Sequence, residues 1–232
     1  MINAYAAMSP GEKLTPYTFE PGALGENEVE ITVKYCGICH SDISMIDNDW
    51  GMSSYPLVAG HEVVGVINQI GKDVSEFHVG QVVGLGWYAD YCESCEQCHN
   101  GDENLCSELT GTIVSHHGGF ADKVRANANS VIALPENMDM ESVGPLLCGG
   151  VTVFNPLVQF DIKPTDKVAV IGIGGLGHIA LQFLNAWGCE VTAFTSKNKL
   201  QEALDMGAHF SVDSRDDTAM ALLPRKFDMI LS

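Results

Sequence analysis

The sequence predicts an α/β fold in two parts: a β-rich, barrel-like domain over residues 1–150 and a doubly wound, parallel-sheet domain over residues 151–232. Three observations predict it. Before residue 150, short β-rich runs alternate with Gly, Pro and Asn/Asp turns. After it, short apolar runs alternate with helical stretches. The first of those apolar runs leads straight into a glycine-rich turn.

The expected strands of the first part are Glu28–Tyr35, Val63–Ile70, Gln81–Leu85, Ala121–Arg125 and Ser130–Ala133. They are rich in β-branched residues and bounded by turn formers, the pattern of a mostly antiparallel sheet whose long loops carry function. Thr152–Lys163 reads as a helix and link. The second part then runs strand Lys167–Gly172, helix Leu176–Trp187, strand Glu190–Thr195 and helix Lys199–Met206 closed by Gly207. Strand His209–Asp213, a short helix Asp217–Leu223 and strand Phe227–Leu231 complete it. Internal repeats and low-complexity segments are absent from the 232 residues.

Composition bounds the function. Hydrophobic residues make up 46% and charged residues 18%, the balance of a globular protein. Acidic residues outnumber basic ones by 30 to 12, a net charge of −18. Such a surface argues against nucleic acid and against anionic membranes as partners, and does not exclude a local basic pocket for a phosphate. Met1–Pro10 lacks the basic start and long apolar run of an export signal, and no apolar stretch approaches the roughly 20 residues of a spanning helix. Eight cysteines in such a chain point to metal or catalytic roles rather than disulfides, and to the cytoplasm.

The turn after the first strand of the second part reads Gly172-Ile173-Gly174-Gly175-Leu176-Gly177. In G-x-G-x-x-G the first glycine makes the tight turn, the second lets backbone approach a pyrophosphate, and the third lets helix and strand pack closely. The helix start offers free N–H groups and partial positive charge to the phosphates. Strand, glycines and helix stand in the required order, so Gly172, Gly174, Gly175, Leu176 and Gly177 are expected to bind a dinucleotide. An NAD site carries an acidic residue about 20 positions on, at the end of the second strand. Here that stretch reads Thr195-Ser196-Lys197-Asn198-Lys199, without a carboxylate. Thr195, Ser196, Lys197 and Lys199 suit a 2′-phosphate, and NADP(H) is the expected cofactor. The alternative is a solvated turn with surface lysines.

Cys92, Cys95, Cys98 and Cys106 follow the spacing C-x2-C-x2-C-x7-C. Four thiolates so close can complete a tetrahedron around Zn²⁺ with no open position, which makes the site structural. Its binding free energy would hold a loop, Tyr91 to Glu108, that has little apolar content. A second set is dispersed: Cys39 in Gly37-Ile38-Cys39-His40-Ser41-Asp42, His61 in Gly60-His61-Glu62, and Cys148 in Leu147-Cys148-Gly149-Gly150. Three ligands and one open position are what a catalytic zinc needs, although each residue alone reads as ordinary core.

Together these motifs resemble the zinc-containing medium-chain alcohol dehydrogenases, and within them the branch of cinnamyl alcohol dehydrogenases and bacterial NADPH-dependent aldehyde reductases. The resemblance rests on Tyr35 to Asp42, Gly60-His61-Glu62, the four-cysteine lobe, Leu146 to Thr152, and Gly172 to His178. It implies a GroES-like catalytic domain followed by a Rossmann domain, and two zinc ions per chain. It further implies that Cys39, His61 and Cys148 hold the catalytic zinc, that Asp42 orients His61, that Glu62 can approach the metal, and that Ser41 relays the proton. Thr152 joins the cofactor residues. The implied activity is interconversion of primary alcohols and aldehydes with NADP(H), favouring aldehyde reduction, in a homodimer. Cys36 and Cys189 read as non-ligands, His78 and His99 as surface residues. Trp50 and Tyr55 either line a substrate pocket or simply pack a loop.

The sequence also departs from that family. Ser44 stands where related enzymes often carry a His that passes the proton outward, so His40 or solvent takes that role. Val58-Ala59-Gly60 replaces the usual Pro-Gly before the ligand His. His116-His117 either flanks the active site or, the favoured reading, is an exposed loop pair. Four strands of a six-strand doubly wound sheet are visible, so roughly 60 residues are expected to be missing at about 30 per βα unit. On that count the chain is a truncated record, and the alternative function is a zinc- and nucleotide-binding fragment without turnover.

Overall fold

Alternation of apolar and polar side chains sets the strands of the first unit, Met1–Cys148, from its start. In β1 (Ile2–Ala6), Ile2, Ala4 and Ala6 are buried while Asn3 and Tyr5 face outward. β2 (Thr15–Phe19) pairs with it antiparallel, Ile2 opposite Phe19. β3 (Glu28–Cys36) leads into helix α1 (His40–Asp47), then β4 (Val63–Ile70), β5 (Val82–Leu85) and β6 (Tyr88–Asp90). A lobe containing the one-turn helix α2 (Glu96–His99) follows, and β7 (Thr110–Gly111), β8 (Lys123–Asn127) and β9 (Val131–Ala133) complete the strands. The central sheet has the order β8-β3-β4-β5-β9, antiparallel throughout, with β6-β7 as a separate pair. Val29, Ile31, Val63, Ile67, Val83, Leu85 and Val124 form its core.

The computed structural model describes residues 1–223 and 227–232. Within them no helix is long and apolar enough to cross a membrane. The strand expected at Ala121–Arg125 lies two residues further on. Asp122 accepts hydrogen bonds from the Asn3 amide and side chain at 3.0 and 2.8 Å, and Ala121 bridges Ala4, so the first two expected residues serve the β1 hairpin instead. The central sheet of this unit buries a carboxylate. Glu30, only 3% exposed, binds Lys123 at 2.8 Å, Arg125 at 2.9 Å and Asn68 at 2.8 Å. Burial works against its charge, but these three partners outweigh it and hold the carboxyl at about 2.

The second unit, Gly149–Ser232, begins with α3 (Gly149–Gln159), three residues ahead of the expected Thr152 start. β10 (Lys167–Ile171), α4 (Gly175–Trp187), β11 (Glu190–Thr195), α5 (Leu200–Asp205), β12 (Phe210–Asp213), α6 (Asp217–Ala221) and β13 (Met229–Leu231) follow. The sheet order is β12-β11-β10-β13, all parallel. The chain steps outward from β10 to β12, then returns to the other side of β10. That reversal is the switch point beside which open α/β sheets bind ligands. Val168, Val170, Leu181, Leu184, Val191 and Ala193 pack the helices on the sheet.

Candidate metal centre and nucleotide turn

Three separate elements of the first unit bring the dispersed donors together. The N-terminus of α1 presents Cys39, the segment before β4 presents His61, and Cys148 follows a short turn, Gly144–Leu147, whose Leu147 packs on Val64. One donor atom each from Cys39, His61, Glu62 and Cys148 lies within 4.8 Å of all the others. Cys39 Sγ and Cys148 Sγ are 3.9 Å apart, and His61 Nε2 is 3.2 Å from Cys148 Sγ. With Zn–S bonds of about 2.3 Å, a regular tetrahedron has edges of about 3.8 Å, so the donors stand at metal-site spacing. A disulfide would need about 2.05 Å.

Asp42 organises the site. It is 1% exposed. One carboxylate oxygen accepts from the Cys39 amide at 2.9 Å; the other accepts from Gly60 N at 2.8 Å and faces His61 Nδ1 at 2.9 Å. The contact assigns the Nδ1 proton to His61 and leaves Nε2 facing the sulfurs, as a metal-ligating imidazole requires. Burial opposes a charge on His61, yet its bonds to Asp42 and Cys148 outweigh that and raise its pKa to about 10. A divalent cation held by His61 and Cys148 would take the place of a proton there. Burial also pushes the Cys39 thiol up, but the Ser41 amide and hydroxyl, His61 and Cys148 together bring it below the ordinary thiol value. Burial raises Cys148 and Glu62. Glu62 is 4% exposed and its Oε2 has no hydrogen-bond partner among the described residues. A buried carboxylate oxygen left orphaned beside two thiols and an imidazole fits a cation.

Around the cluster, Ser41 is half-buried, His40 is exposed, and Ser44 is 6% exposed. Trp87, which the sequence reading passed over, sets its ring edge-on to the His61 imidazole at 4.9 Å, and Trp50 stands edge-on to Trp87 at 6.2 Å. Trp87 lies just ahead of the cysteine lobe in a strand-like apolar run, which carried no signal of its own. Tyr55 donates its hydroxyl to the Ile46 carbonyl at 2.7 Å and packs against the Met45 cluster, a loop-packing role. His116 and His117 are not an exposed pair. His116 Nδ1 bonds the Thr112 carbonyl at 3.1 Å, His117 packs on Phe19 at 4.3 Å, and both line a cavity of about 780 Å³ that shares no residue with the cluster. Apolar neighbours and the short Thr110–Gly119 stretch draw them inward. Cys36 lies outside the cluster, its thiol pushed by burial to about 12, and Cys189 is 1% exposed in the second unit's core. His78 and His99 are exposed.

The four lobe cysteines also converge. Cys95 and Cys98 sulfurs are 3.5 Å apart, as are those of Cys92 and Cys106, again near a tetrahedral edge and far from bonding distance. The Ser94 amide and hydroxyl lower the Cys92 thiol to about 6, whereas burial and the neighbouring thiols push Cys98 to about 12. Four convergent sulfurs offer a complete tetrahedral donor set. Tyr91 ties it to the Asn129 carbonyl at 2.9 Å.

In the second unit, Gly172 has φ +85°, a conformation few side chains adopt. A Cβ on Gly177 would stand 2.0 Å from the Gly172 carbonyl oxygen, so the helix can approach the strand only with glycine there. A Cβ on Gly174 or Gly175 would meet nothing within 4 Å, which leaves this backbone open to a ligand. Leu176 is exposed on the first turn of α4, and Thr152 is exposed on α3. Thr195 is 6% exposed within β11, Ser196 bonds the Asn198 side chain at 2.7 Å, Lys197 is exposed, and Lys199 bonds the Ile173 carbonyl at 2.9 Å.

Comparison with known proteins agrees with this layout. Residues 25–136 match a family model described as the alcohol dehydrogenase GroES-like domain. The aldehyde reductase AdhA of Synechocystis is 58% identical over 233 residues, covering 100% of this chain and 69% of that protein. A solved cinnamyl alcohol dehydrogenase from Sorghum bicolor superposes with a TM-score of 0.94 at 38% identity, covering 99% of this chain and 68% of the other. The CAD of Helicobacter pylori complexed with NADP(H) gives a TM-score of 0.90 at 34% identity, covering 99% and 67%.

Proposed function

The chain belongs to the alcohol dehydrogenase family, and from that premise we propose that it is a zinc-dependent oxidoreductase interconverting primary alcohols and aldehydes with NADP(H), favouring aldehyde reduction. The observation that carries the reading is the convergence of Cys39, His61 and Cys148 on one point, with Asp42 behind the imidazole. When bound, zinc supplies Lewis-acid polarisation of a substrate oxygen, and the nicotinamide supplies or accepts the hydride. The chain's own groups do the rest. Cys39, His61 and Cys148 hold the metal and leave one side for substrate, which Glu62 can approach when substrate is absent. Asp42 fixes the His61 tautomer and, through Gly60 and Cys39, the backbone on both flanks. Ser41, whose hydroxyl bonds the Cys39 sulfur, hands the proton toward exposed His40 and solvent, because Ser44 is buried and ill placed to pass it outward. The cysteine lobe holds a second, structural zinc. In the second unit the glycine turn takes the pyrophosphate, and the turn after β11, with lysines and no carboxylate, favours a 2′-phosphate.

The test is the rate of NADPH and NADH oxidation with benzaldehyde or cinnamaldehyde, on protein whose zinc has been counted. The expected result is two zinc ions per chain and turnover at least about tenfold faster with NADPH, the effect of a charged contact present with one cofactor only. Equal rates would overturn the cofactor assignment. No turnover with both zincs bound would overturn the activity and leave the metal sites standing.

A further inference from the structure

The bond between Lys199 and Ile173 gives the turn after β11 a second task. Lys199 is separated from Ile173 by 26 positions, and its Nζ donates to the Ile173 carbonyl at 2.9 Å. Ile173 is the residue between the first two glycines of the nucleotide turn. In a trans peptide the carbonyl and the following N–H point in opposite directions, so fixing the Ile173 oxygen also fixes the Gly174 N–H. That N–H has no backbone or side-chain acceptor among the described residues, and Gly174 is the N-cap of α4 with no side-chain cap. It is a free donor at the start of a 13-residue helix, the arrangement that meets phosphate. A flipped peptide would instead turn the carbonyl oxygen on the phosphates and repel them. The half-buried Lys199 stem and the exposed Lys197 side chain therefore divide the work: one is engaged with the backbone, and the other is free.

We propose that Lys199 is a positioning residue for the cofactor's pyrophosphate: it holds the Ile173–Gly174 peptide with its N–H toward the phosphates, and so supports NADPH and NADH alike. Discrimination by the 2′-phosphate falls to Ser196 and Lys197. The inference rests on the reading of the second unit as a dinucleotide-binding domain.

Fluorescence titration with NADPH and with NADH, on the wild-type chain and on Lys199→Met, Lys199→Arg and Lys197→Met, tests it without turnover. Lys199→Met is expected to weaken both cofactors by the same factor, about tenfold for one charged hydrogen bond. Lys199→Arg, which can still donate to the carbonyl, recovers most of the loss. Lys197→Met weakens NADPH alone. If Lys199→Met weakens NADPH and spares NADH, Lys199 reads the 2′-phosphate and the proposal is overturned; unchanged affinity for both overturns it too. Should Lys199→Met not fold, unequal effects of Lys199→Arg on the two cofactors decide in the same way. A wild-type chain that binds neither cofactor sinks the dinucleotide reading itself.

Discussion

At the residue scale, Asp42 has the most to lose. It is buried, carries the negative charge behind His61, and accepts from two backbone amides on different segments. Asn in its place keeps the shape but offers one acceptor oxygen and an NH2 group that faces donors. Loss of a partner of this kind typically costs 10–100-fold in metal affinity. Asp42→Asn should therefore lose the metal held by Cys39, His61 and Cys148 on dialysis against a chelator and keep the one held by the lobe. Elemental analysis should fall from about two to about one zinc per chain. Loss of both ions, or retention of both, would show that Asp42 does not act on the catalytic site alone. Cys39, His61 and Cys148 were legible in the sequence only as a set with the motifs around them, because a lone Cys or His has no metal signature. Trp87 was not legible. Its contact with His61 is made by the fold, between residues 26 positions apart, and nothing about an isolated Trp announces its neighbour.

At the element scale, the β10–turn–α4 unit separates two uses of glycine that one motif hides. Gly177 serves packing, since its Cβ would collide with the Gly172 oxygen at 2.0 Å. Gly174 serves the ligand: its φ of −102° suits any residue and its Cβ would meet nothing. Gly177→Ala should cost about 1–3 kcal/mol of stability by forcing the turn off the helix. Gly174→Ala should leave stability within about 0.5 kcal/mol of wild type while weakening the dinucleotide about tenfold, because its methyl stands where the backbone would meet pyrophosphate. Urea denaturation with nucleotide titration reads both, and the opposite pattern would show the two glycines exchanged. The βα alternation of this unit was plain because each strand is a short apolar run bounded by a helix of different period. Helix ends were less plain: α3 starts at Gly149, where two glycines argue against a helix, and α5 begins one residue late because a 3-10 turn takes up Lys197–Lys199. In the first unit the β1–β2 hairpin escaped notice, since Pro16 in β2 speaks against a strand and only the edge position makes it tolerable.

At the scale of the whole molecule, charge is the property that no single element explains. Acids exceed bases by 30 to 12, so even if every lysine and arginine found a partner, 18 carboxylates would be left without one. Among the described residues, five of those cations are in ion pairs: Lys72 with Glu26, Lys123 and Arg125 with Glu30, Lys163 with Asp161, and Lys167 with Glu190. Only the Glu30 pairs involve a buried carboxylate, at 4% side-chain exposure, and these are the pairs salt screens least. The exposed pairs each contribute little. Repulsion among unpaired carboxylates thus outweighs the attraction that salt can weaken. Raising sodium chloride from about 10 mM to 150 mM shortens the screening length from about 30 to 8 Å. Thermal unfolding of the zinc-loaded chain should then shift upward, by about 2–4 °C for each kcal/mol of repulsion relieved. A midpoint that falls with added salt would mean that the surface pairs, and not the surplus of acid, set the electrostatic balance of the fold.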